Sequence, residues 1–231
     1  MKNNVAILEI RPGPGGEEAK IWAQDLLRMY ARFANSKGWK VIQIDEGVIK
    51  ISGEGTFSTL QNEAGVHRVQ RIPKTEKSGR IHTSTASIAI IPEIEEREIQ
   101  INPGDLEISF FRSSGPGGQN VNKVETAVRI IHKPSGVVVA SQAGRSQHAN
   151  REQAMNILRA KIYEAQRIEE QAKLGAFRRE QIGTADRSEK IRTYNFPDDR
   201  ITDHRIGKKF HNIEKVLNGE LEPIINAFKK S

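Results

Sequence analysis

The sequence contains no cysteine among its 231 residues, and this absence excludes several classes of protein. Disulfide frameworks, thiolate zinc sites and thiol nucleophiles all need a cysteine sulfur. Long apolar runs are missing too, since none approaches the roughly 18 residues of a membrane-spanning helix, and the first residues do not resemble a signal peptide. The six histidines show no i, i+4 pair and no acidic partner at a metal-binding spacing. We therefore expect a cytoplasmic protein with no membrane contact, no metal and no other cofactor.

Lysine and arginine outnumber aspartate and glutamate by 36 to 29, which gives a formal net charge of +7. A positive surplus attracts polyanions, nucleic acid first, because each neutralised phosphate releases a condensed counterion. The surplus is modest, however, and charges of both signs are interspersed. Charge alone therefore leaves nucleic acid and other partners equally open, and specific motifs must distinguish them.

The pattern of apolar residues predicts an α+β fold in three segments. Residues 1–98 form the first, in which an amphipathic helix follows a Gly/Pro-rich turn between short strands. Residues 99–186 form the second, which combines a strand, a hairpin and a long helix, and residues 187–231 form the third, with two short helical faces. Strands are predicted at Val5–Ile10, Lys40–Ile44, Val48–Ser52, Ile81–Ile91, Leu106–Phe111, Ala127–His132 and Val137–Gln142, and helices from Glu17, over His148–Ile182, around Ile213–Leu217 and from Pro223.

A glycine-rich stretch between a predicted strand and the hairpin is the most informative motif. Residues 112–123 are Arg-Ser-Ser-Gly-Pro-Gly-Gly-Gln-Asn-Val-Asn-Lys, and glycines in such a loop let the backbone adopt positive φ and approach another surface closely. The tripeptide Gly117-Gly118-Gln119 by itself is weak evidence, because a chain of this length contains it by chance roughly once in twenty. From the residues alone, an ordinary glycine-rich surface turn remains the alternative.

The whole stretch Arg112–Asn122 resembles the catalytic loop of bacterial class I peptide chain release factors, which hydrolyse the peptidyl-tRNA ester on the ribosome. Residues 65–76 (Gly-Val-His-Arg-Val-Gln-Arg-Ile-Pro-Lys-Thr-Glu) and 79–84 resemble the codon-recognition region of that family, and residues 192–197 and 202–205 are also similar to it. The resemblance covers essentially the whole chain. It implies that residues 1–98 recognise the codon, that residues 99–186 hydrolyse peptidyl-tRNA, and that residues 187–231 pack on the first module.

The resemblance implies that Gly117, Gly118 and Gln119 form the hydrolytic site. A glutamine amide does not titrate near neutral pH, so Gln119 cannot be a general base. Its backbone N–H can donate to the developing oxyanion, and its side chain can shape the water pocket. In the family this glutamine is often N5-methylated by a dedicated methyltransferase, so Gln119 is also a candidate modification site and that enzyme a candidate partner. The other implied partners are the ribosome through its 23S and 16S rRNA, the mRNA stop codon and peptidyl-tRNA, and a monomer is expected.

Codon choice is implied for a second set of residues. Pro73-Lys74-Thr75 occupies the place of the family's Pro-x-Thr tripeptide, which marks members that recognise UAA and UAG, whereas the sister branch carries Ser-Pro-Phe and recognises UAA and UGA. Sequence-specific RNA recognition uses unstacked bases, which calls for small hydroxyls, amides and planar rings. By the resemblance, Thr75 faces the first two bases, while Lys74 is expected only to be solvated.

Five further residues are carried over from the family in the same way. His82 is expected to stack beside the second base, and Gln70 and Thr83 to meet the third purine. Gly15 and Glu18, at the start of the first helix, match the residues that accept the initial U.

A nucleotide-binding turn at residues 12–16 is disfavoured, because acidic residues follow the turn at once and no Gly-Lys-Ser/Thr sequence follows it.

A polar stretch at residues 183–192 matches the family's switch loop, which rearranges when the codon is accepted and swings the catalytic module outward. Its charged candidates are Arg187, Lys190 and Arg192. The alternative is an ordinary solvated helix end with salt bridges.

Two departures from the family leave room for another function. Full-length members begin with a helical domain, whereas here the first strand starts at Val5, and the stretch Trp39–Gly53 is shorter than its usual counterpart. We expect the helical domain to be absent, termination to survive, and dependence on the recycling GTPase to be lost.

Some relatives with few domains instead release peptides from stalled or damaged ribosomes without reading a codon. Rescue proteins that insert a tail need a long basic C-terminal extension, whereas this chain ends Ala-Phe-Lys-Lys-Ser. The complete codon-recognition set favours termination over rescue. A non-enzymatic RNA-binding protein of the same fold is a third hypothesis, but it would have no need of Gly117-Gly118-Gln119.

Overall fold

The computed structural model describes residues 4–73, 76, 79–93, 101–112, 124–184 and 186–229. The chain divides into two compact units. Unit 1 consists of Met1–Glu95 together with Leu174–Ser231, and unit 2 consists of Glu96–Lys173. Sheets and helices occur in both units, which confirms the predicted α+β class.

Among the described residues, runs of strands are interrupted by helices along the chain. The strands are β1 (Val5–Pro12), β2 (Lys40–Asp45), β3 (Val48–Ser52), β4 (Gly65–Arg71), β5 (His82–Pro92), β6 (Leu106–Phe111), β7 (Ala127–His132), β8 (Val137–Ser141), β9 (Lys190–Asn195), β10 (Arg200–Asp203) and β11 (Lys208–His211). The helices are α1 (Glu17–Ser36), α2 (Thr56–Leu60), α3 (Gln147–Ile182), α4 (Ile213–Leu217) and α5 (Glu222–Lys229).

Unit 1 is built on an eight-stranded sheet in the order β11-β10-β9-β4-β5-β1-β3-β2. Strands β4 and β9 pair in parallel, and the other neighbours pair antiparallel. The parallel pair joins the third predicted segment to the first, so residues from both ends of the chain share one sheet. The core of the unit lies between this sheet and helices α1, α4 and α5.

Helix α1 forms where apolar residues recur every three or four positions, which places them on one face. Trp22, Leu26, Met29 and Phe33 are almost completely buried against the sheet. Each such side chain contributes about 1.5–3 kcal/mol by its removal from water. Glu17 and Glu18 lie in the first turn, where negative charge complements the helix dipole. The predicted start and apolar face of this helix are therefore confirmed.

Unit 2 is a three-stranded antiparallel sheet, β6-β7-β8, covered on one side by helix α3. Ala154, Leu158 and Ile162 lie four residues apart on α3, and they pack against Val128 and Ile130 of the central strand. The predicted hairpin and the predicted long helix are both found at their expected places.

The last residues of α3 belong to unit 1, whereas the predicted segment boundary lay near residue 186. Arg178 forms an ion pair with Glu9 of β1, and Gln181 bonds both backbone groups of Ile90 on β5, donating at 2.9 Å and accepting at 2.8 Å. These contacts tie the end of the helix to the larger sheet, so the compact units divide at residues 173 and 174.

Strands β4 and β9 were not predicted, and the reason is a buried network of charged side chains. Arg192 on β9 is 0% exposed, and its guanidinium donates to both oxygens of Glu63 at 2.6 and 2.8 Å. The same guanidinium donates to Asp203 at the end of β10 at 3.0 and 3.1 Å. Arg205 donates to that carboxylate as well, at 2.8 Å. Polar residues inside these strands hide the apolar alternation that would otherwise mark them.

Aromatic groups and a histidine complete the buried network. The Tyr30 hydroxyl donates to Glu63 at 2.8 Å, and the Trp22 indole N–H donates to the carbonyl of His67 at 3.0 Å. His67 Nε2 lies 3.0 Å from the carbonyl oxygen of Glu63 and must therefore carry a proton, which leaves Nδ1 to accept from the Tyr194 hydroxyl at 3.4 Å. The surroundings thus stabilise a neutral His67 ring.

In the part of the chain that the structure describes, no helix is long and apolar enough to cross a bilayer.

Arg192→Ala is expected to lower the free energy of unfolding by about 3–5 kcal/mol, because it leaves Glu63 and part of Asp203 buried without their cation. Denaturant unfolding at neutral pH measures the difference. Arg28→Ala is the matched control, since Arg28 pairs with Asp25 at an exposed position and such pairs contribute under about 1 kcal/mol. Equal losses in the two variants would contradict the structural role of the network.

The same network predicts loss of stability in acid. Burial lowers the pKa of His67 to about 4, and the charge of Arg192 adds to the shift. The pKa of Glu63 falls to about 2; burial alone would raise it, but the charge and hydrogen bonds of Arg192 prevail. Both values lie below those of the unfolded chain, which therefore binds more protons. The contribution of these two pKa shifts to the free energy of unfolding is fully present above about pH 6.5. It is lost as the pH falls and first His67 and then Glu63 take up a proton.

His67→Gln should therefore flatten the pH dependence of unfolding between pH 6.5 and 4.5, where His67 contributes up to about 3 kcal/mol. Denaturant titrations across this range, compared with the exposed control His211→Gln, provide the measurement. An unchanged slope in His67→Gln would rule out His67 as the source.

Candidate RNA-recognition site

The described candidate residues for codon recognition meet at one end of the unit 1 sheet, where β4 ends and β5 begins. Gln70 and Thr83 lie directly opposite each other on these two strands, and Arg71 lies opposite His82. Residues opposite each other on adjacent strands project to the same face. An amide and a hydroxyl are thereby placed side by side on the surface of the sheet, as the resemblance implied for the third base.

The Gly/Pro-rich turn before α1 packs against the same end of β5. The Gly13 N–H donates to the Thr85 carbonyl at 2.9 Å, and the Thr85 N–H donates to the Pro14 carbonyl at 3.1 Å. Gly15 has a φ of +146°, and a Cβ at this position would lie 3.0 Å from Ser84 Cα and closer still to its side chain. Glycine is therefore required at position 15 by conformation and by close approach.

Glu18 is held in place by Arg71, which no sequence motif marks as a site residue. Arg71 Nε donates to Glu18 Oε1 at 2.5 Å, and Arg71 Nη1 donates to Asp25 at 2.8 Å. The Arg71 guanidinium also lies 5.7 Å from the ring centroid of Trp22 and 5.4 Å from that of Phe196. Arg71 is thus fixed on four sides and in turn fixes the Glu18 carboxylate.

One oxygen of Glu18 has an unused acceptor position. The Glu18 side chain is 4% exposed, and Oε2 is buried with no hydrogen-bond partner among the described residues. A carboxylate is an acceptor only, so this oxygen suits an N–H donor such as that of a pyrimidine base.

The sequence contains one indication of the contacts that Arg71 makes. Glu18, Trp22 and Asp25 are spaced so that they share one face of α1.

His82 and Pro73 border the same end of the sheet. The side chain of His82 is 45% exposed, and its Nε2 lies 2.8 Å from a carboxylate oxygen of Glu76. Such a contact fixes the orientation of the ring while almost half of the side chain stays exposed. Pro73 is buried, and Lys74 and Thr75 lie outside the described residues.

The predicted hydrolytic residues Gly117, Gly118 and Gln119 also lie outside the described residues. The flanking strands are described, and Phe111 at the end of β6 is the register partner of Ala127 at the start of β7. The strands on either side of the intervening sequence are therefore paired neighbours in one sheet.

Asn150 is a buried polar residue near this anchor that sequence reasoning missed. Its side-chain NH₂ donates to the carbonyls of Thr126 and Gly144 at 2.8 and 3.0 Å, and its Oδ1 accepts from the Gly144 N–H at 2.7 Å. Asn150 thereby joins the first turns of α3 to the segment that leads into β7. No local pattern in the sequence distinguishes it from a surface asparagine.

The candidate switch residues differ in their surroundings. Arg187 belongs to a 3-10 turn, and Lys190 begins β9 half-buried, in register with Val66. Arg192 forms salt bridges, but they are buried and the residue lies on β9, so it is neither solvated nor at a helix end. Before it, Glu189 accepts from the Thr184 backbone N–H at 2.8 Å and closes the turn after α3.

Two protein families match separate parts of the chain. Residues 1–88 match the PCRF domain, and residues 93–205 match the RF-1 domain. The first match contains Gly15, Glu18, Gln70, His82 and Thr83, and the second contains Gly117, Gly118 and Gln119.

Individual relatives agree with the domain matches. Peptide chain release factor 1 of Caldicellulosiruptor bescii is 54% identical over 231 residues, which cover 96% of this chain and 65% of the relative. The protein of that name from Salinibacter ruber is 50% identical over 236 residues, covering 97% of this chain and 66% of the relative. Among solved structures, RF2 of Thermus thermophilus is similar with a TM-score of 0.54 and 40% identity, over 96% of this chain and 66% of that one.

The chain thus spans slightly less than two thirds of the length of the curated relatives that it matches. The two domain matches occur in the order of the two predicted modules and together account for most of the residues. On these grounds the chain belongs to the class I peptide chain release factors.

Proposed function

We propose that this protein terminates translation by recognising UAA and UAG in the ribosomal A site and triggering hydrolysis of peptidyl-tRNA. The observation that carries the proposal is the convergence of Gly15, Glu18, Gln70, His82 and Thr83 at one end of a single sheet. These residues are separated by up to 68 positions in the sequence, and only the fold brings them together. The name of the 54% identical relatives supports the same function.

In the proposed mechanism the two modules have separate tasks. Residues 1–98 recognise the codon, with residues 187–231 packed on them and with Pro73, Lys74 and Thr75 next to the base-contacting residues. Residues 99–186 bring Gly117, Gly118 and Gln119 to the ester. The segment 183–192, with Arg187, Lys190 and Arg192, couples the two events as a switch. The factor acts as a cytoplasmic monomer on the 23S and 16S rRNA, the mRNA and peptidyl-tRNA.

The hydrolytic step needs water and a donor to the oxyanion. The water oxygen bonds to the ester carbonyl carbon, the bond to the tRNA 3′ ribose oxygen breaks, and that oxygen leaves with a proton. The backbone N–H of Gln119 donates to the developing oxyanion, where such a donor contributes about 10²–10³-fold in rate. Methylation of the Gln119 side-chain amide by a glutamine methyltransferase is proposed as a modification, because it leaves the backbone donor intact.

Peptide release should occur at UAA and UAG but not at UGA. Ribosomes loaded with labelled peptidyl-tRNA over each codon, or over an empty A site, provide the measurement. Thr75→Ala should reduce discrimination between UAA and sense codons by about tenfold or more, because a hydroxyl that pairs with a base is lost. Lys74→Ala is the neighbouring control and should change little. Release over an empty A site would favour ribosome rescue, and no release at all would reject the proposal.

The backbone-donor account predicts different effects for neighbouring loop residues. Gly117→Ala and Gly118→Ala should lower the release rate at saturating factor by about 10²–10³-fold, because the backbone can no longer present the donor. Gln119→Ala should keep most of the rate, since its N–H remains. Single-turnover release kinetics test this, and equal losses in all three variants would contradict the donor role of the backbone.

A further inference from the structure

The sheet face turned away from α1 carries two parallel rows of polar side chains. In the first row, Arg68 of β4 is in register with Thr193 of β9, followed by Thr202 of β10 and Lys209 of β11. In the second row, two residues along, Gln70 is in register with Asn195, followed by Arg200 and His211. Register partners share a face, so these side chains form one continuous polar surface.

This surface begins at the candidate codon site. Thr83 on β5 is the register partner of Gln70, and four strand spacings separate β5 from β11. At about 4.8 Å per spacing, β11 lies roughly 19 Å from Thr83, so the polar face extends roughly 14 Å beyond Gln70. An RNA strand whose third codon base lies at Gln70 and Thr83 can therefore continue onto it.

A groove of about 280 Å³ lies along the two rows, lined by Arg68, Gln70, Thr193, Asn195, Arg200, Thr202, His204 and Lys209. None of these side chains is apolar, so the lining does not suit a hydrophobic peptide anchor. Hydroxyl, amide and cationic groups are the side chains that contact RNA phosphates and sugars.

The cations of the groove are mostly free of acidic partners. Arg68 has no ion pair among the described residues, and its Nε is buried without a hydrogen-bond partner. Arg200 pairs with Asp198 at 3.0 Å, but its own Nε is also buried without a partner. Partial burial lowers the pKa of His204, and the charges of Lys190 and Arg68 lower it further. A partly desolvated cation with no counterion is strongly stabilised by a bound anion.

We infer that this groove binds the phosphodiester backbone of the mRNA immediately 3′ of the stop codon, with Arg68 as its central phosphate contact. The inference rests on the proposed function, because the direction of the strand follows from the placement of the third base at Gln70 and Thr83. Lys209 and Arg200 extend the contact along the strand, while Thr202 supplies a hydroxyl donor; the Thr193 hydroxyl is already hydrogen-bonded to His204 Nε2 at 2.8 Å. Such contacts carry no base specificity and increase the occupancy of the codon site.

The test compares two messages on ribosomes that carry labelled peptidyl-tRNA at UAA. One message ends at the third codon nucleotide, and the other extends six nucleotides further. We expect wild-type factor to reach half-maximal release at a lower concentration on the extended message. Arg68→Gln should raise that concentration about tenfold on the extended message only, because one charge-assisted phosphate contact is lost. Lys209→Gln, at an exposed position, should act in the same direction.

Two controls separate this effect from general loss of charge or fold. Arg28→Ala removes an exposed cation from α1, on the opposite side of the sheet, and should leave the half-maximal concentration unchanged on both messages. On the extended message, the slope of log affinity against log salt should fall by about one in Arg68→Gln. Thermal unfolding of each variant reports whether the fold is retained.

Two results would overturn the inference. If Arg68→Gln raised the half-maximal concentration equally on both messages, the contacted phosphate would belong to ribosomal RNA instead of mRNA. If neither variant raised that concentration, the groove would bind no phosphate. Failure of the wild type to release peptide on any message would contradict the proposed function itself. In that case the fluorescence anisotropy of a labelled nine-nucleotide RNA beginning UAA tests RNA binding by the groove separately. Weaker RNA binding by Arg68→Gln than by wild type supports the inference, and equal binding rejects it.

Discussion

The buried guanidinium of Arg192 is the interaction on which unit 1 depends. It binds Glu63, which precedes β4, and Asp203, which ends β10, while Arg192 itself lies on β9 between those strands. Two carboxylates and one guanidinium would be costly to bury singly, so all of these segments must be in register before any of them is stable. The only parallel pairing described in the sheet, β4 with β9, is thereby specified by charge as much as by apolar contact.

That register determines what the opposite face of the sheet presents. Side chains alternate between faces along a strand, so placing Arg192 and His67 in the core turns Thr193 and Arg68 outward. One shift of register would bury the outward cations and expose the network. The geometry of Gln70 beside Thr83 therefore follows from the same constraint, since β4 is held on one side by β9 and on the other by β5.

Elements with a local signal could be predicted from the sequence. Helix α1 has its apolar residues three and four apart, and the hairpin β7–β8 is turned by Pro134-Ser135-Gly136. Strands β4 and β9 could not be predicted this way, because one of the carboxylates that bury Arg192 belongs to Glu63, 129 positions away in the sequence. The same limit applies to the candidate site: the family resemblance implied a role for Glu18, but its ion pair with Arg71 depends on a partner 53 positions distant.

The arginines of unit 1 illustrate how one residue type serves two purposes. Arg192 and Arg71 have their donors used within the protein, by carboxylates on elements that must stay together. Their hydrogen bonds hold these elements together and are not available to a ligand, because a ligand would have to displace an existing bond. Arg68 lies one strand from Arg192, yet it faces hydroxyls and amides that accept only weakly and do not neutralise it. A cation in that situation gains most from an anion supplied from outside, and a nucleic acid bound at Gln70, the candidate recognition residue on the same strand, would supply one.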